Sequence, residues 1–250
     1  VAVTEYYIPY YLISMLASIP YAVINVSIPR LSYIVRTEGL ESYKKTLKTS
    51  ISSLFFIIVP MCFGVAVLSK EVVFLYAGDK YPNISNTLIL ACIIRIIISI
   101  ESVLTNLVLY VNDKEKIIVK LSFLYGIANL IMNSLLVIFN VLTPFNAMLT
   151  TGIAEVALIT TQYLYIKRKM NITNPLLTKQ NITYFILALC FIPISYIVKT
   201  INFGFYANII VTMALCVVLY GGVLLIKKDE SLYIVLNKFN NKLKLRGKNE

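Results

Sequence analysis

The sequence contains no histidine, and only 14 % of its 250 residues are charged. Without histidine, acid–base chemistry near neutral pH and Cys/His metal centres both lose their usual side chain. Four cysteines are present, Cys62, Cys92, Cys190 and Cys216, all inside apolar blocks and with no CxxC spacing. A disulfide framework and a structural zinc site are thereby excluded. Nucleophile-elbow, P-loop and zinc-protease spacings are missing too. Acid–base work would fall to Glu101, Glu155 or a tyrosine, none with a partner visible in the sequence. The chain is therefore not expected to be an enzyme, and no metal or other cofactor is expected.

What is present is apolar. Hydrophobic residues make up 58 % of the chain and the mean hydropathy is +0.79, whereas a soluble domain carries about 25 % charged residues. The excess is gathered into long blocks, so the expected class is an all-α integral membrane protein. The net charge of +11 would suggest nucleic acid in a soluble protein. Here the basic residues lie between the blocks, where membrane topology accounts for them and no nucleic-acid partner is implied. Seven spans can be read: Tyr6–Ile28, Leu47–Leu68, Leu88–Val111, Ile117–Phe139, Asn146–Ile166, Ile182–Val198 and Phe205–Ile226. Each is long enough for ~30 Å of hydrocarbon at ~1.5 Å per residue.

The connections carry the orientation. Arg30, Arg36, Lys44, Lys45 and Lys48 follow the first span, Lys114, Lys116 and Lys120 the third, and Lys167, Arg168, Lys169 and Lys179 the fifth. A further basic group follows the seventh, whereas the alternate loops hold only Lys70, Lys80 and Lys199. The positive-inside rule then puts residue 1 outside and the C-terminus in the cytoplasm. The stretch Arg30–Thr49 reads as a short amphipathic helix on the cytoplasmic face, with Leu31, Ile34 and Val35 toward lipid. Ser69–Asn86 reads as a half-buried outer turn bending at Gly78-Asp79, and Pro193 predicts a kink in the sixth span. The tail Ser231–Leu245 mixes apolar residues with lysine, as an interfacial helix on anionic lipid would.

The third span is the informative one, because it carries Arg95 and Glu101 well inside its ends. A charge near a bilayer centre costs ~2.5–3.5 kcal/mol on insertion scales, so such residues pair inside a bundle or face a wet cavity. Six residues apart, the two sit about 120° around the helix from each other and do not pair. Asn106 shares their span, Asn129 and Asn133 share a face of the fourth, and Glu155 and Gln162 share a face of the fifth. Such a polar face either lines a cavity for a polar headgroup or holds helices together by hydrogen bonds. The third and fifth spans run parallel, with Arg95 and Glu155 about 11 and 13 Å from the same end. The expectation is that these two meet, with Glu101 a turn and a half deeper.

Several segments resemble a known family. Pro29-Arg30-Leu31-Ser32, followed by Gly39, Glu41, Lys44 and Lys45, resembles a cytoplasmic segment of bacterial oligosaccharide flippases. The run Glu71–Asp79 is similar to their short outer loop, and Asn129 with Asn133 has their spacing. Ala147–Glu155, followed by Gln162 and Tyr165, is similar to their small-residue helix. These are the polysaccharide-transport members of the multidrug/oligosaccharidyl-lipid/polysaccharide exporter superfamily. The resemblance implies the C-terminal lobe of a fourteen-helix flippase, with the first lobe and one helix of the second absent. Residues 1–166 would be five helices of that lobe, 167–226 an extra helix pair and 227–250 a basic cytoplasmic tail. The implied substrate is an undecaprenyl-pyrophosphate-linked oligosaccharide, moved across a bacterial cytoplasmic membrane for capsule, O-antigen or exopolysaccharide synthesis. The implied partners are that lipid, the bilayer and the missing N-terminal lobe. Arg95, Glu101, Asn129, Asn133, Glu155 and Gln162 are the candidate cavity residues.

Two other readings stay open. A multidrug or cation antiporter of the same superfamily would use buried acids for coupling. A membrane polysaccharide polymerase or acyltransferase would show large outer loops with Arg or His, unlike the short ones here. Topology is directly testable. In a background lacking the native cysteines, an impermeant thiol reagent applied outside is expected to label a cysteine at Asp79 and to spare one at Lys114. The opposite pattern would invert the orientation.

Overall fold

A backbone crossing hydrocarbon has no water to satisfy its N–H and C=O groups, so apolar segments of this length close their bonds within a helix. The computed structural model describes residues 2–81, 84–170, 172 and 176–237. Among these residues every regular element is helical and there is no strand. The chain is an all-α, multi-pass membrane protein.

The first helix, α1 (Ala2–Thr37), is 36 residues long and contains Pro9, Pro20 and Pro29. It turns at Gly39, where φ is 85° and a side chain would be strained, into α2 (Leu40–Val67). The separate amphipathic helix expected over residues 30–49 is therefore the end of α1 and the start of α2. Leu31 and Ile34, 0 % and 4 % exposed, keep the helical stripe packed beyond Pro29, and no breaker intervenes before Gly39. The turn after α2 contains a short helix, α3 (Ser69–Ala77), and bends at Gly78 as expected. Lys199 ties α3 down through Glu71 at 2.9 Å.

Helix α4 (Ile84–Ser102) continues through a π-helical segment, Val103–Leu109, and a 3-10 turn, Tyr110–Asn112. It is followed by α5 (Glu115–Ile138) and α6 (Pro144–Lys169). Thr143 caps α6 by accepting from the Asn146 N–H at 3.1 Å, with Pro144 at the first helical position. The sixth span, where Pro193 predicts a kink, is divided into α7 (Lys179–Leu189) and α8 (Phe191–Ile201). The break falls at Cys190 because Pro193 has no N–H for the carbonyl of Leu189. Then come α9 (Phe205–Ile226) and a helix at residues 230–237, α10. Residues 238–250, the rest of the expected tail, lie outside the described residues.

Among the described residues six helical segments are long and apolar enough to cross a membrane, α7 with α8 counting as one; seven were expected. The difference is α6. It is 26 residues long, but Thr150, Thr151, Glu155, Thr160, Thr161 and Gln162 lower its hydropathy below that of a lipid-facing span. It packs against α4 and α5 and keeps an apolar face of its own, with Leu149, Ile153 and Val156 exposed.

At the centre lies α2, in contact with α1, α4 and α7. Its Leu47, Ile51, Leu54 and Ile58 are 0 % exposed at four- and three-residue spacing, one continuous stripe. Lipid tails are as apolar as leucine, so these helices associate through close contact rather than escape from water. Where α4 meets α6, Gly152 gives that closeness: a Cβ there would lie 3.1 Å from Ile94 Cγ1.

The basic turns share one end of the bundle. Arg36 reaches Asp113 at 3.3 Å, linking the α1–α2 turn to the α4–α5 turn. Asp229 caps α10 by accepting from the N–H groups of Ser231 and Leu232 at 3.0 and 3.2 Å. It also accepts from the Tyr184 hydroxyl and the Gln180 amide on α7, both at 2.9 Å. Asp229→Ala removes the cap and takes away the acceptor of the buried Tyr184 hydroxyl, which keeps only the bond it accepts from the Gln180 amide. A loss of about 1–3 kcal/mol is expected, read as a lower thermal unfolding midpoint in detergent, with Asp229→Asn retaining most of the stability.

Candidate functional site

Helix periodicity assembles two facing polar stripes. On α5, Tyr125, Asn129 and Asn133 recur every four residues; on α6, Thr151, Glu155 and Gln162 recur at four and seven. Glu101 closes the space from α4. Together these elements form a half-open cavity of about 300 Å³ lined by Glu101, Ser122, Tyr125, Asn129, Thr151 and Glu155, among others. No basic side chain is among its lining residues.

The walls are cross-linked by side-chain hydrogen bonds. The Asn133 amide donates to Asn129 Oδ1 at 3.0 Å, and the Thr150 hydroxyl donates to Asn133 Oδ1 at 2.8 Å. Asn129 donates to Thr151 at 3.5 Å, and the Tyr125 and Thr161 hydroxyls bond across the α5–α6 seam. Gln162, fully buried, donates to Thr105 Oγ1 at 2.8 Å and to Glu101 Oε1 at 3.5 Å. Thr105 in turn donates to Glu101. Two atoms are left over: Glu155 Oε2 and Gln162 Oε1 are buried without a hydrogen-bond partner. A buried orphan acceptor costs about 1–3 kcal/mol, so the cavity holds unused capacity for a donor or a cation.

The π-helical segment adjoins this site. The Tyr110 N–H bonds the carbonyl of Thr105, five residues back, so one extra residue is carried in the turn below Glu101. Such wide turns are frequent at functional sites. Here the widening falls where Thr105 must point at Gln162 and Asn106 back at the carbonyl of Ser102.

Of the six candidate residues, Glu101, Asn129 and Glu155 line the cavity together, and Asn133 and Gln162 bond into its walls. Arg95 is elsewhere. Its Nη2 donates to Ser14 Oγ on α1 at 2.7 Å, and its buried Nε has no partner. The expected Arg95–Glu155 pair is absent from the ion pairs of the described residues. The reason is rotational. At that height α4 meets α6 through Ile94 against Gly152, and Arg95, one residue on, is turned about 100° away. Glu101 and Thr105, seven and eleven residues after Ile94, return to the α6 side. Equal depth put Arg95 and Glu155 at one level without putting them on facing surfaces.

Sequence reasoning missed the hydroxyl members, Tyr125, Thr105, Thr151 and Thr161. A signal was present in the four-residue series Tyr125–Asn129–Asn133, which extends the recognised asparagine pair by one turn.

No protein-family model, curated protein or solved structure matches the chain.

A carboxylate retained without a partner is a poor stabiliser. Glu155→Leu is therefore expected to leave the unfolding midpoint unchanged or higher. Gln162→Leu, which strips Glu101 and Thr105 of a shared donor, is expected to cost about 1–3 kcal/mol. Thermal unfolding of the purified protein distinguishes them, and equal losses would mark Glu155 as structural.

Proposed function

We propose that this chain is the C-terminal part of a membrane transporter. Its cargo is an undecaprenyl-pyrophosphate-linked oligosaccharide repeat unit, carried across a bacterial cytoplasmic membrane, with residue 1 outside and the C-terminus inside. The observation that carries the transport reading is the polar cavity between α4, α5 and α6, with its unpartnered Glu155 oxygen. Buried polar groups inside a bilayer are expensive, and a bundle that keeps them with spare bonding capacity is suited to moving polar cargo. Arg95 supports the anionic cargo. It is 9 % exposed and keeps one nitrogen unbonded, and its planar fork is suited to a phosphate oxygen pair while remaining charged. The resemblance of Pro29–Ser32, Glu71–Asp79 and the α5–α6 pattern to oligosaccharide flippases points the same way.

A second reading, a cation-coupled antiporter of the same superfamily, is favoured by one feature: Glu101 and Glu155 share a cavity that no basic side chain lines. That electrostatic environment takes up a proton or a small cation.

Surface polysaccharide measured in cells expressing the whole transporter separates the readings. Arg95→Ala is expected to abolish nearly all export, and Arg95→Lys, which keeps charge but loses the bidentate fork, most of it. Normal export by Arg95→Ala would overturn the flippase reading. Loss of drug resistance in Glu155→Gln with export intact would establish the antiporter.

A further inference from the structure

At the basic end of the bundle, α1, α2 and α10 enclose a groove of about 830 Å³, separate from the polar cavity. Its walls change character along the helix axis. The deeper part is lined by Val23, Val26 and Ile57, and α10 adds Ile234 and Val235. Above them the lining turns polar, with Thr46 and Ser50 and then Arg30 and Lys45. Counted back from the Gly39 turn, Arg30 and Lys45 stand on antiparallel helices about 4.5 Å apart in height.

Both cations are unengaged. Arg36, Lys44 and Lys199 have carboxylate partners, whereas no ion pair or side-chain hydrogen bond engages Arg30 or Lys45 among the described residues. The groove's acid, Glu38, is occupied by the hydroxyl of Ser42.

Height places this change of lining at the membrane boundary. Helix α1 is 36 residues long, about 54 Å, against ~30 Å of hydrocarbon. Arg30 comes two residues after the apolar span Tyr6–Ile28 ends. Apolar walls thus lie at hydrocarbon depth, and the two cations lie where phosphates of the bilayer surface lie.

We propose that this groove binds an anionic phospholipid, its phosphate between Arg30 and Lys45 and its hydrocarbon along Val26, Ile57 and Ile234. Charge complementarity selects the occupant, since two free cations above an apolar channel fit a headgroup that is negative and joined to a chain. Asp229 serves the site indirectly: by capping α10 and fastening it to Tyr184 and Gln180, it holds the third wall in place. The inference does not depend on what the transporter carries.

The test is electron paramagnetic resonance of the protein in nanodiscs containing spin-labelled phosphatidylglycerol or phosphatidylcholine. The native protein is expected to immobilise phosphatidylglycerol several-fold more than phosphatidylcholine. Arg30→Gln with Lys45→Gln should remove that preference, Lys44→Gln should keep it, and Asp229→Ala should reduce it. Both cations of the double variant are solvent-exposed, and an unchanged unfolding midpoint confirms that it folds. Equal immobilisation of the two lipids by the native protein, or a preference that survives the double variant, would overturn the proposal. Loss of the preference on adding millimolar inorganic phosphate, at constant ionic strength, would also overturn it in favour of a free-anion site.

Discussion

Inside hydrocarbon a polar group has no water to bond, and most of this structure is organised by where such groups find partners. The backbone solves the problem by remaining helical across each span, even through three prolines in α1 and a broken ladder at Cys190. Side chains solve it locally. Ser27, Thr49, Thr160 and Thr200 return their hydroxyls to carbonyls four residues back. What cannot be satisfied locally is gathered where helices meet. The Tyr184–Asp229–Gln180 cluster satisfies all its members and fastens an end of the bundle. The cavity around Glu101 and Glu155 leaves Glu155 Oε2 without a partner, and that contrast separates a structural network from a candidate site.

Helix α4 divides the bundle into two environments. One side carries Arg95, directed to Ser14 on α1. The other carries Ile94, Glu101 and Thr105 toward α6. One helix thus presents a cation to one seam and an anion to another, about a turn and a half apart along the axis. The π-helical segment Val103–Leu109 follows directly, so the geometry of the anionic side is coupled to the local winding of the helix. Helix α5 completes that side while its outer surface, with Phe123, Ile127 and Leu130, stays exposed to lipid.

The length mismatch between α1–α2 and the bilayer produces the third feature. Two helices longer than the hydrocarbon thickness project at the basic end. Their projecting turns, together with α10, form walls that are apolar below and cationic above. Carrying α1 on through Pro29 to Gly39, rather than ending it at Ile28, is what creates a groove here instead of a loop lying flat on the membrane.

Local sequence alone determined the all-helical membrane class, the distortion near Pro193 and the polar faces of α5 and α6. Each of these follows from local rules: hydrocarbon thickness, the missing proline N–H, and 3.6-residue periodicity. The same rules read seven spans where six segments are apolar enough among the described residues, because α6 carries polar side chains on the side that packs against α4 and α5. They also paired Arg95 with Glu155 from depth, which the sequence reports. Rotation about the helix axis decides contact, and it is set by how Gly152 seats on Ile94. Which polar residues share a cavity, and which bonds remain unmade within it, depend on that packing between segments, which no single segment encodes.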